Sequence, residues 1–177
     1  MRIEGTKVNL RKVTKSDARS IYENARDKEI SQYTFIPHPY KLEDALGFIR
    51  FAHKQMKKGR EYHLGIELKI TGQIIGMIGM MKISQKHRHA ETGYWLGKSY
   101  WGKGYAGEAL RLMLKFGFEQ LKLVRITAGV MHPNLASARM LERVGFKLEG
   151  RFRKSFMQYG QWLDELRYGI LREEFKN

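Results

Sequence analysis

A glycine-rich loop leads into a predicted helix near the middle of the chain, where residues 100–109 read Tyr100-Trp101-Gly102-Lys103-Gly104-Tyr105-Ala106-Gly107-Glu108-Ala109. Small residues let consecutive backbone N–H groups point at one position, and the helix start behind them adds partial positive charge. This pattern predicts a cradle for a pyrophosphate, to which Lys103 adds a point charge. An ordinary flexible turn before a helix is the alternative interpretation.

Three nucleotide-binding motifs match this region only in part. Residues 102–107 fit G-x-G-x-x-G, but no acidic residue stands about 20 positions on, near Thr127. Residues 97–99 end like a P-loop, but Thr92 occupies the position of its first glycine. Residues 103–108 begin like an RNA-recognition strand but lack its later aromatic and apolar residues. None of these motifs therefore explains the loop.

Apolar periodicity predicts secondary structure on both sides of the loop. The predicted helices span residues 18–25, 42–58, 106–117 and 134–144, and the predicted strands span 8–13, 62–68, 74–83, 91–96, 125–131, 146–157 and 162–171. Thr14 and Asp17 have the spacing of a capping box, and the prolines in residues 33–40 predict a loop. The order predicts an α+β fold, with about four helices on the two sides of a mixed, mostly antiparallel sheet of about seven strands.

Length and composition limit the classes of protein. A chain of 177 residues with 42% hydrophobic residues predicts a single domain spanning residues 1–177. Because cysteine is absent, disulfides, thiolate metal sites and a cysteine nucleophile are excluded. The first residues lack the apolar region of a signal peptide, and no apolar stretch is long enough to span a bilayer, so we expect a cytoplasmic protein with no membrane partner.

The chain is strongly basic, with a formal net charge of +15. Such a charge attracts polyanions over several ångströms, but RNA, an acidic membrane surface and a phosphorylated cofactor are all compatible with it. His87 and His89 lie two residues apart in a polar stretch without further spaced ligands, which predicts a solvated turn and no metal site.

Several spaced segments together carry a family resemblance. They are Glu91-Thr92-Gly93-Tyr94-Trp95-Leu96, the glycine loop, the stretch from His132 to Arg139, Val144-Gly145-Phe146 and the stretch from Tyr159 to Asp164. In this order they resemble the GNAT superfamily of acetyl-CoA-dependent N-acetyltransferases, and within it the ribosomal-protein-alanine acetyltransferase branch, along essentially the whole chain. Gly104 and Ala106 fit the family's loop signature, whereas Trp101 stands where the family has Gln or Arg.

The resemblance implies acetyl-CoA as the cofactor and assigns residues to hold it. The strand that ends at residues 95–97 would diverge from the strand at 125–131 and pair its free main chain with the pantetheine arm. The implied cofactor-binding residues are Trp95, Leu96, Gly97, Gly102, Lys103, Gly104, Tyr105, Ala106, Gly107 and Asn134. For Asn134, a plain N-cap role is an equal alternative, because one amide side chain can cap a helix and contact a ligand.

Acetyl transfer to an amine needs a neutral nucleophile, a polarised thioester carbonyl and a proton for the thiolate. Without cysteine, we expect direct attack in a ternary complex. Glu91 is the candidate general base, directly or through a water, with an exposed strand carboxylate as the alternative. Many relatives use a tyrosine shortly after the Asn134 position as the acid; residues 135–144 contain none, which leaves Ser137 as the candidate.

Residues 33–40 and the terminal hairpin are expected to form the acceptor groove, although their aromatic residues could equally be core. Three functions remain open. The first is acetylation of a protein N-terminal amine, with possible ribosome association; the second is acetylation of a small amine such as an antibiotic or amino acid. The third is a non-catalytic RNA- or ribosome-binding module on the same fold. Similar proteins commonly form homodimers.

Overall fold

The computed structural model describes residues 1–176. Within them, eight strands form one sheet in the order β1-β2-β3-β4-β5-β6-β8-β7, and five α-helices accompany it. The strands are β1 (Arg2–Glu4), β2 (Val8–Arg11), β3 (Tyr62–Leu68), β4 (Ile74–Ser84), β5 (His89–Leu96), β6 (Arg125–Met131), β7 (Lys147–Gln158) and β8 (Gln161–Leu171). The helices are α1 (Ala18–Ala25), α2 (Lys28–Ser31), α3 (Leu42–Lys57), α4 (Tyr105–Lys115) and α5 (Leu135–Val144).

The predicted α+β fold is confirmed, with one more strand and one more helix than the sequence indicated. The additional elements, β1 and α2, have three and four residues, too few to show a hydrophobic period. The predicted capping box is present, since the backbone N–H of Thr14 donates to Asp17 Oδ2 at 2.7 Å. Residues 33–40 form no helix or strand, as their prolines predict.

The two faces of the sheet are covered by different helices. Helices α4 and α5 pack on one face, where their buried residues join the larger hydrophobic cluster with β2, β3, β4, β6 and β8. Helices α1 and α3 pack on the other face with a smaller cluster that includes Met77 and Tyr40. None of the helices in residues 1–176 is both long and apolar enough to cross a membrane.

The junction between β5 and β6 opens the sheet. These two strands are parallel, whereas the other neighbouring pairs are antiparallel. Only three residue pairs form between them, from His89 with Arg125 to Glu91 with Thr127. Beyond this point β5 stays paired with β4 as far as Leu96, and β6 stays paired with β8 as far as Met131. The carboxyl halves of β5 and β6 therefore diverge, and a cleft opens between them.

Candidate active site

One wall of the cleft is the main chain of β5. The N–H of Gly97 donates to the carbonyl of Ile75 at 2.9 Å, which fixes the alternation of hydrogen bonds along the β4–β5 pair. By that alternation Trp95 and Gly97 turn their main-chain groups toward β4, while Tyr94 and Leu96 turn theirs toward the cleft. An extended ligand arm can pair with such groups as an additional strand would. Of the predicted residues 95–97, Leu96 is therefore the one whose main chain faces the cleft.

The side chain of Trp95 lies on the opposite side of β5 from α4. It packs against the smaller hydrophobic cluster, together with residues of α1 and α3. Gly97 allows α1 to approach the end of β5 closely, because a Cβ there would overlap the side chain of Asn24. These two predicted residues thus shape the end of the strand through packing.

The glycine loop closes one end of the cleft. Gly102 and Gly104 have φ angles of +74° and +83°, which favour glycine. A Cβ placed on either residue would have no atom within 4 Å beyond the residue itself and its two chain neighbours. Gly104 is the N-cap of α4. The first N–H groups of a helix have no acceptor within the helix, so those of Tyr105, Ala106 and Gly107 point out of its N-terminus. Open space, free donors and the helix dipole together fit a diphosphate.

Trp101, the residue that departs from the family's loop signature, ties the loop to the cleft. Its indole N–H donates to the carbonyl oxygen of Leu96 at 2.8 Å. Lys103 is exposed on the same loop, with its ammonium 5.9 Å from the ring centroid of Tyr100. The loop therefore presents one positive side chain in addition to its backbone donors.

The N-terminus of α5 carries the predicted residues Asn134 and Ser137. Asn134 is the N-cap, since its Oδ1 accepts from the N–H of Ser137 at 3.2 Å. The amide nitrogen of Asn134 is a separate donor that the cap does not use. The Oγ of Ser137 lies 2.7 Å from the hydroxyl of Tyr94, on the diverging half of β5. Burial raises the pKa of Tyr94 to about 12, so this phenol is neutral at physiological pH.

Glu91 lies in a network of ion pairs on the sheet face away from α4. Its Oε2 accepts from Arg167 at 2.8 Å and from Lys82 at 3.1 Å, and its side chain is 21% exposed. Arg167 also contacts Glu165 at 2.5 Å. Burial opposes the charge of Arg167, but its hydrogen bond to Glu91 and the charge of Glu165 outweigh burial and raise its pKa. Two cations thus hold the carboxylate of Glu91, the last residue of β5 that pairs with β6.

Residues 33–40 contact the terminal hairpin, and an acceptor groove between them stays a prediction. The side-chain nitrogen of Gln158 donates to the carbonyls of Ser31 and Thr34 at 2.6 and 3.2 Å. The rings of Phe35 and Phe156 meet edge to face at 5.4 Å. A shallow, open cavity lies between the two segments and is lined by residues 34–38, Gln158 and Tyr159.

Tyr94, Glu165 and Arg167 belong to the site although the sequence did not single them out. Tyr94 stands within the quoted segment 91–96, so its position in the motif was available as a signal. Arg167 reaches Glu91, and Glu165 reaches Arg167, because β8 lies beside β6, which is the neighbour of β5 in the sheet. Such a strand order is not visible in the sequence. Among residues 1–176, no group of three or more potential metal ligands comes together.

Diverging parallel strands beside an anion-binding loop define a protein that binds an extended, phosphorylated coenzyme along its sheet. A family model described as an acetyltransferase (GNAT) domain matches residues 7–147, and the chain belongs to this family. The resemblance found in the sequence is confirmed at that level. The protein is an acetyl-CoA-dependent N-acetyltransferase.

Individual relatives support the assignment along the whole chain. The N-acetyltransferase YoaA of Bacillus subtilis is 33% identical over 170 residues, which cover 96% of each chain. Spermidine N-acetyltransferase of Vibrio cholerae, solved with CoA and spermine, has a TM-score of 0.84 at 25% identity, with 98% of this chain and 100% of that chain covered. Ribosomal-protein-S5-alanine acetyltransferase of Vibrio fischeri has a TM-score of 0.87 at 22% identity with both chains fully covered, which shows the shared fold.

The observed cleft fits acetyl-CoA in each of its parts. The glycine loop and the start of α4 would hold the diphosphate. The main chain of Tyr94 and the N–H of Leu96 would pair with the pantetheine arm, since the carbonyl of Leu96 already accepts from Trp101. The amide nitrogen of Asn134, which the cap does not use, lies at the neighbouring helix. The coenzyme supplies the acetyl thioester that an amine attacks. The chain's own residues would bind and orient this group.

Proposed function

We propose that this enzyme acetylates the N-terminal α-amine of a protein by direct attack of the amine in a ternary complex. The observation that carries the proposal is that Glu91 on β5 and two acidic residues of β8 are already paired with donors of the protein itself. Glu91 and Glu165 share Arg167, and Asp164 is bound by Arg151 at 2.6 Å and by the N–H of Lys154 at 2.8 Å.

A polyamine needs free carboxylates for its several ammonium groups, and these three are already bound to cations of the protein. A peptide presents one reacting amine followed by a neutral or acidic chain, which needs no free carboxylate of the enzyme. The net charge of +15 favours acidic acceptors further. This argument favours peptide N-termini whose next residues are acidic over basic ribosomal tails.

In this proposal Glu91 accepts the proton of the attacking amine, through a water. Its position at the last β5–β6 pair brings a charged, partly exposed carboxylate to the beginning of the cleft. Ser137 returns a proton to the leaving sulfur, supported by its place in the first turn of α5 and its contact with Tyr94. With no cysteine in the chain, an acyl-cysteine intermediate has no attachment point.

A small amine is the second candidate acceptor. It is supported by the similarity to the spermidine enzyme of Vibrio cholerae, which extends over 98% of this chain and the whole of that one. If the enzyme acetylates protein N-termini, we expect it to be cytoplasmic, to associate with ribosomes and to form a homodimer. The expectation of a non-catalytic RNA-binding module is dropped, because the chain belongs to a family of acetyltransferases.

The test is an acceptor competition with mass spectrometry. The enzyme and acetyl-CoA are mixed with four acceptors: a peptide with a free N-terminus and acidic second residue, its basic counterpart, the acidic peptide with a blocked N-terminus and one lysine, and spermidine. We expect acetylation of the α-amine, faster on the acidic peptide. Exclusive acetylation of spermidine would transfer the assignment to small amines, and exclusive acetylation of the lysine would exclude the N-terminal proposal.

A further inference from the structure

We infer that Tyr94 is a positioning residue that orients the hydroxyl of Ser137 for proton donation into the cleft. This inference rests on the proposed role of Ser137 and adds a residue that acts through it. Tyr94 is on β5, three residues beyond the last β5–β6 pair, and Ser137 is in the first turn of α5. Their side-chain oxygens, 2.7 Å apart, connect one wall of the cleft to the helix beside it.

Two contacts define the orientation of Ser137. Its backbone N–H donates to Asn134 Oδ1, which fixes the main chain of the first turn. Its Oγ can accept from the hydroxyl of Tyr94. A serine hydroxyl has one proton and two lone pairs, so a donor on one lone pair leaves the proton free to point elsewhere. Tyr94 therefore favours the arrangement in which Ser137 is the donor toward the cleft.

The protonation state of Tyr94 suits this task. The larger hydrophobic cluster packs around its ring, and burial raises the pKa of its hydroxyl to about 12. The phenol therefore keeps its proton at the pH values where amines react, and it remains a hydrogen-bond donor throughout. Loss of its hydroxyl would leave Ser137 free to rotate and to spend part of its time pointing away from the cleft.

The proton transfers balance in this scheme. As the amine nitrogen bonds to the acetyl carbon, the carbon–sulfur bond breaks and its electron pair leaves with sulfur. Ser137 gives its hydroxyl proton to that sulfur, and water returns a proton to Ser137. The proton lost by the amine passes through Glu91 to water, so no net proton is gained or lost by the protein. Tyr94 donates a hydrogen bond in this scheme and keeps its proton.

The first experiment measures the pKa of the thiol of bound CoA and requires no acceptor. Because the chain has no cysteine, the ultraviolet absorbance of a thiolate reports CoA alone. The titration stays between about pH 6 and 9, below the ordinary tyrosine range. A donor at the sulfur stabilises the thiolate, so S137A should raise the bound thiol pKa by about one unit and Y94F by roughly half a unit. The double variant should match S137A.

The second experiment measures kinetics with an acceptor found in the competition above. Y94F should lower kcat by about threefold to tenfold, the range of one neutral hydrogen bond, with KM for acetyl-CoA unchanged. In the S137A background, Y94F should have no further effect, because its action requires the serine. A matched control is Tyr168→Phe, which also removes a phenol hydroxyl that donates to a side chain, Glu142, at 2.9 Å, but on β8. This control should leave kcat and the bound thiol pKa unchanged.

The outcomes separate this inference from the proposed function. If folded Y94F keeps the parental thiol pKa and kcat, or if its effect adds fully to that of S137A, Tyr94 does not act through Ser137, even in an active enzyme. If no peptide is acetylated but the bound thiol pKa shifts as expected, the N-terminal acceptor is wrong and the role of Tyr94 stands. Calorimetric binding of CoA to each variant verifies that the site is intact.

Discussion

At the level of single residues, we expect Gly104 to determine whether a phosphate can approach the loop. Its φ of +83° strains a β-branched side chain, and the space that such a side chain would enter is open. We expect Gly104→Val to weaken acetyl-CoA binding by at least tenfold in a calorimetric titration, because the side chain would fill the cradle.

Gly72 provides the control for backbone strain. It has a similar φ of +69° and equally open surroundings, but it lies in the β3–β4 turn. Both Gly72→Val and Gly104→Val should lose about 1–2 kcal/mol of stability. Only Gly72→Val should keep the full affinity for acetyl-CoA. Equal affinity in both folded variants would contradict a phosphate cradle at residues 102–107.

The role of Glu91 can be tested by an isosteric change. Glu91→Gln keeps the size of the side chain, removes its basicity and leaves Lys82 and Arg167 without one charged partner. We expect kcat to fall by about 10²-fold with acetyl-CoA affinity unchanged, the effect typical of losing a general base. Glu149→Gln, which breaks a comparable pair with Arg125, controls for the loss of an ion pair. An unaltered rate across pH would eliminate Glu91 as the base.

At the level of the secondary-structure element, we propose that the N-terminus of α5 combines the observed cap with ligand binding. Asn134→Asp preserves the cap, since Asp and Asn are equally good N-caps, but it removes the amide donor and adds negative charge. We expect stability within about 0.5 kcal/mol of the parent in urea unfolding, and roughly tenfold weaker acetyl-CoA binding by calorimetry.

Two further variants separate the functions of Asn134. Asn134→Ala should lose about 1 kcal/mol of stability as well as affinity, because the cap and the amide donor both disappear. Asp27→Ala removes the cap of α2, where Asp27 Oδ1 accepts from Glu29 at 2.9 Å, and should lower stability alone. If Asn134→Asp binds acetyl-CoA as tightly as the parent, Asn134 is only an N-cap.

The predictability of each element followed its length and its amphipathic pattern. Helix α3 was predicted to within one residue because its apolar residues recur over 16 positions. Strand β1 and helix α2 were missed because three or four residues carry no period, and β1 is specified by its pairing with β2. The glycine loop before α4 was recognisable in the sequence because Gly102 and Gly104 have positive φ angles, which favour glycine.

At the level of the whole molecule, a buried ionic cluster joins the first strands of the sheet. Glu67 on β3 is 6% exposed and accepts from Asn9, Arg2 and Arg11, and Arg11 also binds Asp17. Burial acts to raise the pKa of Glu67, but these hydrogen bonds outweigh it and lower the pKa below its ordinary value of 4.5. The cluster stabilises the fold only while Glu67 is charged.

The sign of the resulting pH dependence follows from this lowered pKa. A carboxyl that is more acidic in the folded state gives its full stabilisation above the unfolded pKa, and the stabilisation is lost as pH falls through the folded value. We expect the urea midpoint to be flat above about pH 5 and to fall below it. Glu67→Gln should be less stable at pH 7 and show a weaker acid dependence, whereas Glu23→Gln, in an exposed pair, should behave like the parent.

The single domain predicted for residues 1–177 has its own test. The eight described strands form one continuous sheet with hydrophobic clusters on both faces, so we expect one cooperative unfolding transition. Circular dichroism and the fluorescence of Trp95, Trp101 and Trp162 should report the same midpoint. Two separated midpoints would show that parts of the sheet unfold independently.

The sequence by itself determined the fold class, the glycine loop that precedes a helix and the family, because these depend on local periodicity, glycine positions and motif order. It also placed Asn134 and Ser137 at the start of a helix. The tertiary structure decided which side chains meet. The contact of Tyr94 with Ser137, and that of Glu91 with Arg167, join residues 43 and 76 positions apart in the chain. The first contact depends on β5 separating from β6 after Glu91, and the second depends on β8 pairing beside β6. No local sequence pattern encodes these two features of the sheet.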